Sequence, residues 1–201
     1  MSSDQKHHPE SLTTSHSKKT QLYVISISKL IIMASLSMGL YLYYWNYRHW
    51  LLIRGQRGLR LIPLLCTIFG AFTIFFLMKK IVARCTQTNQ PVEGSAIGVT
   101  LMLYTPILLI ACWEFYISEK FLDSLPLSFF TLIPIMLTLL YSTFFSVALV
   151  QMQQSANVCE GDACGFKNSK ITWANVLWLI ICWMPITAIF SFLSAYAPLM
   201  H

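Results

Sequence analysis

Five apolar segments, Leu22–Tyr44, Leu61–Met78, Ala96–Ile117, Leu125–Val150 and Trp173–Ala197, constrain this chain more than any other feature. A helix needs about 20 apolar residues to cross the hydrocarbon core of a bilayer. Segments one, three, four and five have that length, and the second is marginal. Charged residues make up only 11% of the 201 residues and hydrophobic ones 56%. Soluble domains carry about a quarter charged residues, so a water-facing surface cannot be built from this composition. The expected fold is all-α: an integral membrane bundle of four or five helices, with the second segment a candidate for re-entry. Residues 1–20 read as a polar, disordered tail with almost no apolar surface to bury. Residues 21–201 read as a single multi-pass membrane domain.

The net charge of +6 does not point to nucleic acid. The basic residues flank apolar runs, which is how membrane proteins set their orientation. Three topologies remain open. Five full spans with a cytosolic N-terminus leave Arg48, Arg54, Arg57, Arg60 and Lys120 outside. A shallow second segment brings the four arginines in and puts the tail out. If the first two segments each enter and return on one side, only Lys120 lies outside. In all three, the loop Val158–Lys170 is cytosolic and the C-terminus is on the far side.

An aromatic and basic collar follows the first apolar run. Six aromatic residues lie between Tyr41 and Trp50, and Arg48, Arg54, Arg57 and Arg60 lie within or after them. Tyrosine and tryptophan collect where hydrocarbon gives way to headgroups, since each ring has an apolar body and a polar tip. On a continued helix Tyr41, Tyr44, Trp45 and Arg48 share one face, with Arg48 placed to lie over Tyr44 or Trp45. Tyr43, Tyr47 and Trp50 form a second stripe. Tyr41, Tyr44, Trp45, Tyr47, Arg48, His49, Trp50, Arg54, Arg57 and Arg60 are therefore the candidate lipid- or partner-binding set. An ordinary interfacial anchor, which one or two aromatics would satisfy, is the plainer reading.

Pro106, Pro134 and Pro185 each fall near the middle of an expected span. Proline removes a helical hydrogen bond, and three kinks at similar depth suggest a central pocket of the kind transporters use. Glu114, late in the third segment, is the carboxylate closest to it, and an interfacial position is its plainer reading. Lys29 reads as a snorkelling side chain. Cys159 and Cys164 form the one paired-thiol feature, as inert thiols, a disulfide or half a metal site. A cytosolic loop argues against the disulfide. Cys85 reads as a lone juxtamembrane thiol and a weak palmitoylation candidate.

No Gly-rich phosphate loop, His-Glu-x-x-His, Gly-x-Ser-x-Gly or paired Asp cluster is present in the sequence. Arg48, His49 and the tyrosines are left as the interfacial groups able to serve catalysis, so the balance leans away from an enzyme. No metal or cofactor is expected. The leading expectation is a non-enzymatic protein that engages anionic headgroups or a membrane partner, including a second copy, through Tyr41–Arg60. A small-molecule or lipid transporter is second and an interfacial enzyme third.

The collar resembles the core of a family of small bacterial multi-pass membrane proteins with no assigned activity, Gly-Leu-Tyr-x-x-Tyr-Trp-Phe-Tyr-Lys/Arg-Asn-Trp. Gly39, Leu40, Tyr41, Tyr44, Trp45, Tyr47, Arg48 and Trp50 match it, while Asn46 replaces the Phe and His49 the Asn. In that family the core leads into a Pro and an apolar, Arg-containing segment. Pro63 and Ile68-Phe69 are similar to that segment, with Cys66 in place of the Arg. Looser landmarks are Leu125-Pro126, Gln151, Asn157 and Asn175. The resemblance implies a helical protein of the bacterial inner membrane and leaves function open.

Overall fold

The computed structural model describes residues 21–57, 62–120 and 127–196. The described residues form seven α-helices and no strand: α1 (Ile27–Leu36), α2 (Leu40–Arg57), α3 (Pro63–Ile68), α4 (Gly70–Gln87), α5 (Ala96–Lys120), α6 (Leu127–Cys159) and α7 (Trp173–Tyr196). The polar tail, Arg60 and Leu125-Pro126 lie outside the described residues.

The first apolar segment is not one helix. At ten residues α1 is about 15 Å long, half the hydrocarbon thickness. It starts at Ser26, whose hydroxyl accepts the Lys29 N–H, and ends at Ser37. Met38 and Gly39 then take positive φ, 52° and 84°, and reverse the chain. Gly39 suits that conformation because it has no Cβ to clash. The Ser37 hydroxyl donates to Ala34 O and accepts the Tyr41 N–H at 2.8 Å. One serine thus satisfies the end of α1 and the start of α2, where backbone groups lack helical partners. His49 then lies against Tyr23, which precedes α1, so α1 and α2 form an antiparallel hairpin.

The second segment is also broken. Pro63 opens α3 at the first helical position, where its missing N–H costs nothing. The short α3 packs back along α2, bringing Gly70 beside Asn46. The helix breaks at Phe69, with ψ 30°, before α4 begins. Thr73 Oγ1 donates to Cys66 O at 2.6 Å, occupying a carbonyl that the break exposes. The turn after α4 reaches α6: Ser155 Oγ accepts the Glu93 N–H and donates to Glu93 O.

Among the described residues, two apolar stretches are long enough to cross a membrane: Ala96–Phe115 in α5 and Leu132–Cys159 in α6. Only 11% of each window is buried. A core helix of a soluble protein would be mostly buried, and these two face outward with Leu101, Leu108, Leu132, Met136 and Leu139 exposed. The apolar stretch of α7, Trp173–Ile189, is shorter. Pro106, Pro134 and Pro185 lie inside α5, α6 and α7, and each helix continues through its proline.

Candidate functional site

The centre of the structure is an extended segment, residues 22–25, held by side chains rather than by another strand. Asn157 Oδ1 accepts the Ile25 N–H, and Asn157 Nδ2 donates to Ile25 O at 2.9 Å. One helical turn earlier, Gln153 Nε2 donates to Tyr23 O and to Asn157 Oδ1, at 3.0 and 2.7 Å. Gln153 Oε1 accepts the Trp45 indole N–H at 2.6 Å. His49 Nδ1 accepts the Tyr23 N–H, which leaves Nε2 as the protonated nitrogen, 3.4 Å from Gln153 Oε1. Two amides four residues apart on α6 thereby do for this segment what a neighbouring strand would do. The site is dry: His49, Gln153 and Asn157 are 0% exposed. Burial pushes the His49 imidazole down to about 4, so it is neutral at physiological pH.

A second shelf of contacts lies nearer the loop after α6. Lys29 Nζ donates to Asn168 Oδ1 and Lys170 O, both at 2.7 Å. Asn168 Nδ2 donates to Tyr23 Oη and Val24 O. Gly165, at φ 66°, passes so close to residues 25 and 26 that a Cβ would stand 2.5 Å from their backbone. Asp162 accepts the Phe166 and Lys167 N–H groups, and the Lys167 contact first holds its carboxyl below the usual range. Arg84 pairs with Glu160 at 3.1 Å with both side chains nearly buried.

The collar is therefore largely inside the protein. Tyr41, Trp45, His49 and Trp50 are buried, Tyr44, Tyr47 and Arg48 half-buried, and Arg54 exposed. Because α2 returns beside α6, the face expected to meet headgroups instead meets Gln153 and Tyr23. Arg48 lies 5.0 Å above the Tyr23 ring and 5.8 Å above the Tyr44 ring, so the expected cation–π partner Tyr44 is joined by Tyr23, and Trp45 is not one. Arg57 closes α2, and Arg60 lies outside the described residues. Lys29 is docked in the loop rather than snorkelling.

The cysteine pairing also changes. Cys159 is bonded to Cys85, not Cys164, with the two Cα atoms 4.9 Å apart. The ends of α4 and α6 lie side by side there, whereas Cys164 sits beyond the turn at Gly161 and is free and exposed. Cys85, fully buried, is closed to acylation. Two cavities lie at the tip of the α1/α2 hairpin, and Pro106, Glu114, Pro134 and Pro185 line neither. Pro106 is buried, while Glu114 and Pro185 face outward.

Sequence reasoning missed Tyr23, Gln153 and Ser155. The available signal was four amides and a serine within one end of an apolar helix, where polar side chains are costly unless paired. No protein-family model, curated protein or solved structure matches this chain.

Proposed function

We propose that this chain is a multi-pass protein of a bacterial inner membrane that gathers anionic lipid headgroups at its cytosolic end, without catalysis. In this reading α5, α6 and α7 cross the bilayer. The hairpin α1/α2 and the broken pair α3/α4 enter and leave from the same end, which is fewer crossings than four or five. The observation that carries it is the placement of charge. The starts of α1, α5 and α7 meet the ends of α4 and α6 at one end, through Asn168–Lys29, Glu93–Ser155, Cys85–Cys159 and Arg84–Glu160. Lys29, Arg48, Arg54, Lys79, Lys80, Arg84, Lys167 and Lys170 all lie toward that end. Such a bias marks the cytosolic side; the reducing cytosol disfavours a disulfide there, and burial closes the Cys85–Cys159 bond to reductants.

The binding surface shrinks accordingly: of the collar, Arg54 is exposed and Tyr47 half-buried, Lys79 and Lys80 are exposed on α4, and Arg57 and Arg60 follow Arg54 in the sequence. Each basic residue near an anionic surface contributes about 1 kcal/mol. The bacterial setting rests on the resemblance of the Gly39–Trp50 core. An interfacial enzyme loses its base in this structure, since both His49 nitrogens face groups of the protein itself.

The test is the triple variant Arg54→Ala, Arg57→Ala, Arg60→Ala in nanodiscs of mixed anionic and zwitterionic lipid. The expected result is a loss of about tenfold or more in anionic lipid retained by native mass spectrometry. Unchanged retention in a folded variant overturns the proposal.

A further inference from the structure

The tip of the α1/α2 hairpin overhangs α6 and leaves space on both sides. A cavity of about 350 Å³ lies between the tip, the start of α4, and α5 and α6. Another of about 630 Å³ lies between the tip, α1 and α6. Gly39, Leu42, Tyr43, Tyr141, Phe145 and Leu149 line both, so the two adjoin and flank the tip as a groove. Volumes of this size are those of small-molecule sites.

The groove's neighbours say what medium it faces. Tyr43 is 56% exposed, Ile68 59% and Ile107 44%, all on its rim. The tip lies about 15 Å into the protein from the start of α1, where Trp183 Nε1 of α7 donates to Leu36 O. At that depth the rim meets lipid chains rather than water, so an occupant arrives from the bilayer.

One group in the lining is out of place in an apolar groove. Asn46 is 6% exposed, and its Oδ1 has no hydrogen-bond partner. An unsatisfied amide oxygen of this kind costs about 1–3 kcal/mol, and a ligand donor removes that cost. Its neighbours in the wall are already engaged: Trp45 Nε1 donates to Gln153 and Tyr104 Oη to Ala71 O. Gly70 leaves the room beside it, since a Cβ there would stand 2.9 Å from Asn46 Nδ2.

We infer that the groove holds one membrane alcohol, a long hydrocarbon chain lying past the hairpin tip with its hydroxyl donating to the Asn46 carboxamide. The chain fits the apolar lining, and the hydroxyl supplies the donor that the protein lacks there. The hydroxyl reaches the amide oxygen, which is buried in this structure, only when the carboxamide turns toward the cavity. A glycerolipid and an isoprenoid quinol share this chemistry. The inference needs the bilayer setting of the proposed function but not its basic rim, and its test uses neutral lipids.

The test is native mass spectrometry of the full chain in neutral nanodiscs, titrated with a diacylglycerol and with an isoprenoid benzoquinol, each against its O-methylated form. One bound molecule per chain is expected, with the hydroxyl form of one class preferred by about tenfold. The class preferred identifies the source. Asn46→Leu should abolish the preference for the hydroxyl while keeping chain binding. Ala71→Phe, a substitution at an outward-facing lining position, should abolish binding of both forms. Equal binding of hydroxyl and methylated forms, or full binding by a folded Ala71→Phe protein, overturns the inference. Loss of anionic lipid in the arginine variant with neutral-lipid binding intact would separate the two sites.

Discussion

The two halves of this protein solve the same solvent problem in opposite ways. In α5, α6 and α7 the helix runs unbroken through its proline. Apart from the ends and the carbonyl each proline leaves unpaired, the backbone is satisfied within the helix, so the outward faces can be plain Leu, Ile, Met and Phe. In α1–α4 the chain turns back at Met38-Gly39 and breaks at Phe69, and an extended segment precedes it all. Each interruption frees backbone groups that apolar surroundings cannot satisfy. Side chains satisfy them instead: Ser37 at the tip, Thr73 at the break, Gln153 and Asn157 along residues 23–25. The first half consequently depends on particular polar residues, while the second depends on length and apolarity.

That contrast breaks most completely if the first half crosses the membrane. A cysteine at Gln56, with Cys66, Cys112, Cys164 and Cys182 replaced, should be wholly protected from an impermeant maleimide in intact cells. It should label only after lysis, as a cysteine at Ser169 does. Labelling of Gln56 from outside would mean that the hairpin opens into a full span.

The contrast sharpens in stability. Asn157→Leu removes both partners of Ile25 and one of Gln153, and about 4 kcal/mol should be lost in reversible unfolding from detergent. Leu139→Ala, on the bare face of α6, should cost about 0.5 kcal/mol or less, because it faces outside the protein. Equal costs would erase the distinction.

The last effect is a pH dependence confined to the first half. The His49 imidazole is depressed from 6.5 to about 4 when folded, so the unfolded chain binds the extra proton between those values. The stability it contributes is present above pH 6.5 and lost as pH falls through 4, about 3 kcal/mol in all. His49→Asn should flatten that profile in the same unfolding assay. A slope that survives the substitution would assign it elsewhere.

How much of this was legible in advance follows the same division. The starts at Ala96 and Trp173 were readable because apolar length decides those helices. The first two segments misled, since a run of hydrophobic residues does not announce where it doubles back. Ser35, Ser37 and Gly39 were the local hint, and Gly39 had been absorbed into the aromatic core. The burial of the collar depends on Gln153, more than a hundred residues away. The pairing of Cys85 with Cys159 spans 74 residues, while the nearer Cys164 looked the natural partner. Such facts belong to packing between helices, and spacing within a segment does not carry them.

The clasp of residues 23–25 by Gln153 and Asn157 also orders events in time. A ribosome makes the extended segment first and its partners about 130 residues later, roughly ten seconds at ordinary synthesis rates. For that interval the α1/α2 hairpin has no lock, and the carbonyls and amides of residues 23–25 are without the partners that α6 later supplies. The amino-terminal half is thus born early and finished late, and its assembly is gated by the emergence of α6.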